Sequence, residues 1–377
     1  LLQNDTVVLQ ILLIGLQEAC SECCFILIWL LSSGGTMQHL SIPTCYFPST
    51  ALFLDDSRDF LLNFVLQLDE GVAYRTFDSP RKALDHIHNK RCELDLISQH
   101  CLSEYTAAKN FPLTNHNINP DLAAIYAEVY NPHRFSEISV VVVDYAMPGM
   151  DGLEFCRRMD NCNIKKILLT GQADEKLAIA AFNEGLIHRY IKKSDVNAAE
   201  QITKSIYELQ LQYFQAMSDM VVRMLSVTSP SCLHDNKFAH FFRQLREEKR
   251  IIEYYLVDNS GSYFMLDDDA NVSFLVVKNA ADIRSHYDWA LANGASEDVL
   301  HELAMGEKIP GLLQANASIA QWADWSNCLV PATRLISDET YYYAYLQGNV
   351  LFDARHQKIL SYHRYLEELD AEELLMG

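Results

Sequence analysis

The sequence predicts an open parallel α/β sheet, then a long helix, then a separate α+β region. Two observations carry this. Short apolar runs that end in polar residues alternate with amphipathic helical patterns over residues 50–197, an alternation that implies parallel strands covered on both faces. Beyond residue 230 the pattern changes to short strands divided by Asn-Ser-Gly and Asp-rich turns, the chemistry of antiparallel hairpins. With 377 residues the chain exceeds one ordinary domain, and 49% hydrophobic with 21% charged residues is a globular composition.

The elements follow in order. Residues 1–36 contain an apolar stretch, but Gln17, Glu18, Ser21 and Glu22 interrupt it and no basic residue precedes the first methionine, Met37. A spanning helix needs about 20 apolar residues and usually basic flanks, and a secretory leader opens with positive charge. These residues are therefore expected to be an extension without a function, and residues 37–49 an arm. Cys20, Cys23 and Cys24 lack the second half of a zinc set, and ten cysteines in so long a chain fit reduced thiols in a cytosol. No membrane association is expected.

The first strand is TALFLDDS, residues 50–57, ending in Asp55 and Asp56. The second, ISVVVVD, residues 138–144, has four consecutive valines that demand burial on both faces and ends in Asp144. A third, residues 167–170, ends in Thr170, and a fourth, residues 189–193, ends in Lys192 and Lys193. Helical patterns at 60–68, 80–88, 153–159 and 176–183 lie between them. Parallel sheets bind ligands beyond the carboxyl ends of their strands, so Asp55, Asp56, Asp144, Thr170 and Lys193 should converge. Crowded carboxylates raise one another's proton affinity unless a divalent cation lies between them, and an all-oxygen set suits Mg2+. A lysine and a threonine beside them can contact phosphoryl oxygens while a carboxylate attacks phosphorus.

Residues 50–195 resemble the receiver domain of two-component response regulators, in Asp55-Asp56, the segment D144-YAMPGMDG, Leu169-Thr170-Gly171 and Y190-I-K-K193. The resemblance implies a flavodoxin-like five-stranded parallel sheet. It implies that Asp144 accepts phosphate, and that Asp55, Asp56 and Asp144, with the Ala146 carbonyl, hold Mg2+. It makes Thr170 and Tyr190 the switch pair and Lys193 the ion-pairing lysine, three residues after Tyr190. Ser194 departs from the pattern, which usually has a cis proline there. The layout of the whole chain is similar to that of a quorum-sensing response regulator, which implies a cytoplasmic protein phosphorylated by sensor histidine kinases that answer a hydroxyketone signal.

Residues 90–136 form an insertion with helical patterns at 94–109 and 121–129, expected to pack on the receiver or on a partner. After the receiver, residues 195–227 read as one helix. Ile202, Ile206, Leu209, Tyr213, Ala216 and Met220 are spaced as a heptad seam, and its later half is expected to pair a homodimer on phosphorylation. The output region, residues 230–377, carries strands at 253–258, 262–266, 272–277 and 341–346 with helices at 281–292, 296–304 and 356–375.

That output region holds 12 Lys and Arg against 23 Asp and Glu, and the whole chain carries a formal charge of -20. Nucleic acid is thereby disfavoured as a partner. His234-Asp235 reads as a turn, Asp267 to Asp269 as a hairpin tip, and the tyrosines 341–345 as cross-strand packing or the wall of a groove. The leading reading is a phosphorylated regulator that is not itself an enzyme beyond assisting its own phosphorylation and dephosphorylation. A receiver-gated nucleotide-binding or nucleotide-processing enzyme and a DNA-binding regulator are the alternatives, and the output partner is left open.

Overall fold

The computed structural model describes residues 41–93, 125–159, 163–171, 175–225, 230–311, 328–348 and 359–376. Residues 41–377 form one compact unit. In chain order the unit contains β1 (Cys45–Tyr46), β2 (Thr50–Leu54), α1 (Arg58–Val65), β3 (Tyr74–Phe77), α2 (Pro80–Glu93), β4 (Ile138–Asp144), α3 (Gly152–Arg158), β5 (Lys165–Thr170), α4 (Glu175–Asn183), β6 (Arg189–Lys192) and α5 (Ala198–Leu225). There follow α6 (Asn236–Lys249), β7 (Glu253–Leu256), β8 (Tyr263–Leu266), β9 (Val272–Asn279), α7 (Ala280–Ala292), α8 (Glu297–Met305), β10 (Lys308–Pro310), β11 (Leu329–Pro331), β12 (Thr333–Ile336), β13 (Thr340–Gln347) and α9 (Tyr362–Met376).

The expected parallel sheet is present with strand order β3-β2-β4-β5-β6. Its alternating residues separate into two faces because side chains point to opposite sides along a strand. Ala51, Phe53, Val140, Val142, Ile167 and Leu169 meet α1 and the first half of α5. Leu52, Leu54, Val141 and Val143 face the other way, toward α2, α3 and a much larger apolar body. That body continues without a break into the output region through Phe47, Phe214, Phe238, Tyr254 and Tyr263.

The output strands form an antiparallel sheet ordered β1-β7-β8-β9-β13-β12. The meander β7 to β9 matches the turn chemistry of the sequence: the Asp267 carboxylate accepts from the Asp269 and Asn271 N–H groups at the β8–β9 tip. Its edge strand β1 comes from the arm that precedes the receiver, with Cys45 paired to Tyr255 and Tyr46 to Tyr254. Further bonds secure the arm: the Tyr263 hydroxyl donates to the Pro43 carbonyl, and the Thr44 N–H to the Ser218 hydroxyl of α5.

Several elements differ from the sequence-based expectation. Helix α6, the strands β3, β10, β11 and β12 and the arm strand have no counterpart in the sequence-based elements, and the final helix begins at Tyr362, six residues later than predicted. The insertion helix predicted at 94–109 and the first four residues of that at 121–129 lie outside the described residues; residues 125–127 are helical and run into a 3-10 turn at Glu128–Tyr130. The described end of the insertion packs on the output sheet, Tyr126 standing edge-on to Phe264 with centroids 5.2 Å apart.

The predicted dimer seam is covered within the chain. Ile202, Ile206 and Leu209 are completely buried against the parallel sheet, and Tyr213 is buried in the larger core beside Phe214. A helix stripe satisfies the same spacing whether its apolar partner is a second helix or a sheet face. Here the sheet takes the stripe through Leu209 and the output core takes Tyr213, so these four side chains are not available to a second copy. Ala216 is half-buried, and the side chain of Met220 lies outside the described residues.

Candidate phosphoacceptor site

Three strand ends and one loop build the site. β2 delivers Asp55, β4 delivers Asp144, and the turn after β6 delivers Lys193, whose N–H donates to the Thr170 carbonyl at the end of β5. Parallel strands put their carboxyl ends along one edge of the sheet, and the long Lys193 side chain reaches back past β5 and β4, so residues 138 positions apart come into contact. The Lys193 Nζ lies 2.5 Å from an Asp55 carboxylate oxygen and 2.8 Å from an Asp144 oxygen. Each of Asp55, Asp56 and Asp144 offers a carboxylate oxygen within 4.8 Å of the others. Asp55 and Asp144 are nearly inaccessible, whereas Asp56 is exposed.

Local sequence explains how the carboxylates are held. The Ser57 N–H donates to Asp55 while the Ser57 hydroxyl caps α1 by accepting from the Phe60 N–H. Asp151 caps α3 in the same way, accepting from the Glu154 N–H. Gly152 must be glycine, because a Cβ there would stand 2.4 Å from the Asp144 carbonyl oxygen. The Gly152 N–H donates to the Tyr145 carbonyl, which closes the turn after the acceptor strand.

Burial pushes the Asp144 pKa above the ordinary carboxylate value, and the charge of Asp55 adds to that; Lys193 and the Ala146 N–H pull against it. Burial by itself would lower the Lys193 pKa, but its hydrogen bonds to Asp144 and Asp55 prevail and hold it above the usual lysine value. One ammonium thus faces three carboxylates. This surplus of negative oxygen fits a hard divalent cation: Asp55, Asp56 and Asp144 offer only oxygen, and Asp56 opens the cluster to water, which Mg2+ retains in its shell.

Thr170 is fully buried, and its hydroxyl has no hydrogen-bond partner among the described residues. Such an orphan is costly unless another state supplies its partner. Tyr190 is half-buried and packs toward Phe182 of α4, with ring centroids 6.5 Å apart. Ala146 is exposed beside Asp144.

Sequence reasoning missed Phe60, whose ring lies 4.4 Å from the Lys193 Nζ and forms the apolar floor under the ammonium. Its position in the first turn of α1, five residues after Asp55, is the only sequence signal for it. Also missed was the pair Arg134–Glu253, which ties the end of the insertion to the output sheet at 2.6 Å with both side chains almost fully buried.

A 2-1-3-4-5 parallel sheet with an acidic triad and a lysine at its carboxyl edge defines a receiver of the response-regulator class. Comparison with known proteins agrees. Residues 109–206 match the family model of the response regulator receiver domain. The chain is 68% identical to the Legionella pneumophila response regulator LqsR, covering 90% of this chain and all of that one, with a TM-score of 0.77. It therefore belongs to the response-regulator family that LqsR represents. A 59-residue stretch is 41% identical to the cyclic di-GMP phosphodiesterase response regulator RpfG of Xanthomonas campestris pv. campestris. That stretch spans only 15% of this chain and 16% of the relative's length. No helix among the described residues is long and apolar enough to cross a membrane.

Proposed function

We propose that the chain is a phosphorylation-controlled regulator whose acceptor is Asp144. The observation that carries the reading is the reach of Lys193 to both Asp55 and Asp144 inside a cluster of three carboxylates. An Asp144 oxygen attacks the phosphorus of a phosphohistidine on a sensor histidine kinase; the P–O bond forms, the P–N bond breaks, and the imidazole leaves and takes up a proton. Asp55, Asp56 and Asp144, with the Ala146 carbonyl, would hold Mg2+, which supplies charge neutralisation at the phosphoryl oxygens. Lys193 neutralises charge on the opposite side, and the orphaned Thr170 hydroxyl gains the phosphoryl group as its hydrogen-bond partner. As Thr170 moves, Tyr190 turns inward to fill the space behind it.

In this reading the chain acts in the cytoplasm as a quorum-sensing regulator. It assists its own phosphorylation and dephosphorylation, and its output region works by changing partners rather than by catalysis. With Ile202 to Tyr213 covered, a homodimer formed on phosphorylation would use another surface. Leu177, Ile179 and Phe182 of α4, between 40% and 49% exposed, offer apolar area beside the switch.

The test is intact-mass measurement after incubation with phosphoramidate and Mg2+. The wild-type chain should gain one phosphoryl group, the Asp144→Asn chain none, and chelation of the metal should suppress the gain. Labelling that persists in Asp144→Asn would overturn the assignment.

A further inference from the structure

Away from the carboxylate cluster, an open cleft of about 430 Å3 lies where three segments meet. The receiver contributes Val72 and Tyr207, α6 contributes Arg246, and α9 contributes Tyr362 and Leu366. A second hollow of about 320 Å3 adjoins it, sharing Arg246, Ile252 and Asp268. None of Asp55, Asp56, Asp144 or Lys193 lines either.

The cleft has a cationic end. Arg243, Arg246 and Arg250 stand three and seven residues apart along and just beyond α6, so they share one face. Among the described residues none of the three has an ion-pair partner. The Arg246 guanidinium lies 5.1 Å from the Tyr46 ring centroid and 4.9 Å from that of Tyr254, and its buried Nε has no hydrogen-bond partner among the described residues. Two aromatic faces therefore fix this cation in place while its donors stay unspent, which is how an arginine is readied for an anion. Arg250 sits in the left-handed region, at φ 53°. Glycine adopts that conformation without strain, so nothing in the turn calls for an arginine.

The rest of the lining is largely apolar. Beyond Tyr46, it includes Pro48, Val72, Tyr207, Tyr362 and Leu366. Glu70, Glu247 and Asp268 border the two hollows; they disfavour a second negative group and leave room for one anionic head beside the arginines.

We propose that this cleft binds a small organic anion, with a flat apolar body against the tyrosines and one carboxylate or phosphoryl head on Arg246, backed by Arg243 and Arg250. Because receiver, output and C-terminal helix all supply walls, such a ligand contacts all three at once. Any change in their arrangement on phosphorylation then changes ligand affinity, and the ligand acts reciprocally on the receiver.

The experiment is isothermal titration of the full chain with 1-naphthyl phosphate, 1-naphthoate and 1-naphthylmethylammonium. At least one anion should bind, with the ammonium at least about tenfold weaker; the preferred anion identifies the head group. Arg246→Gln should weaken the anion at least about tenfold, the loss expected for a charge-assisted hydrogen bond, with the circular dichroism spectrum and melting temperature retained. Arg250→Gly removes a charge at a position that favours glycine and should weaken binding several-fold without risk to the fold. Affinity in Asp144→Asn should equal that of wild type. The proposal is overturned if neither anion binds at about 5 mM, a threshold near the millimolar limit of useful affinity. It is equally overturned if the ammonium binds as well as the anions, if Asp144→Asn abolishes binding, or if Arg250→Gly and a folded Arg246→Gln both bind as wild type does.

Discussion

Arg134 and Lys193 each hold a pair of carboxylate oxygens, yet the two clusters follow opposite rules. Arg134 meets Glu253 through two nitrogens at 2.6 and 3.0 Å, and two further bonds run to the Leu360 and Asn131 carbonyls. The Tyr255 hydroxyl donates to the same Glu253 at 2.6 Å. Both charged side chains are at most 2% exposed. Lys193 is 26% exposed and confronts three carboxylates with one charge. The first cluster pairs its charges within the fold and joins two parts of it; the second is left with an excess of negative oxygen of the kind a hard divalent cation balances. Paired charge ties the fold together in the first, whereas carboxylates outnumber the one ammonium in the second.

The sharpest way to break the comparison is to remove the cation of the paired cluster. Arg134→Met leaves Glu253 buried without its counter-charge and should cost about 3–5 kcal/mol in chemical denaturation. Removing both charges, with Arg134→Met and Glu253→Leu together, should recover a large part of that loss. A single variant as stable as wild type would mean that water reaches Glu253.

Glu128 sharpens the same cluster through pH. Burial pushes its pKa from 4.5 to about 7, with Asn131 and Arg134 opposing and Glu137 and Glu253 adding. A carboxyl whose pKa is raised by folding is held neutral in the native state. It stabilises in full below about 4.5, and that contribution is lost as pH rises through about 7. The loss is up to about 3 kcal/mol for a shift of this size. Denaturation between pH 5 and 8, as about the useful range, should therefore show a steeper fall with pH for wild type than for Glu128→Gln. Asp144 and Glu253 shift in the same direction, whereas His188 and His286, lowered to about 4 by burial, work the other way. The difference between wild type and variant isolates Glu128, and parallel profiles would contradict the assignment.

The smallest effect belongs to the unbalanced cluster. Asp56→Asn removes one repelling, exposed carboxylate, so without divalent cations the melting temperature should stay level or rise slightly. Added Mg2+ should raise the melting temperature of wild type and not of the variant. Equal responses would remove Asp56 from the metal site.

The carboxylate cluster was legible in the sequence because each member ends an apolar run, and parallel topology alone then brings them together. Phe60 was not, since an aromatic residue in a first turn has many uses. The shared core was hidden for a different reason: β1 is two residues long, and its partners Tyr254 and Tyr255 lie about two hundred positions away. No local pattern encodes such a pairing. The seam at Ile202, Ile206 and Leu209 shows the limit of periodicity, which specifies that a stripe is buried but not by what. Arg134 reads in sequence as an ordinary surface arginine, and only the return of Glu253 to its side reveals the pair.

The most direct measurement is a crystal structure of the chain grown with Mg2+ and beryllofluoride as a phosphoryl mimic. The account predicts the mimic on Asp144, the cation held by Asp55, Asp56, Asp144 and the Ala146 carbonyl, and the Thr170 hydroxyl turned to the mimic. Cation and mimic found elsewhere, with Lys193 still spanning Asp55 and Asp144 unchanged, would contradict it.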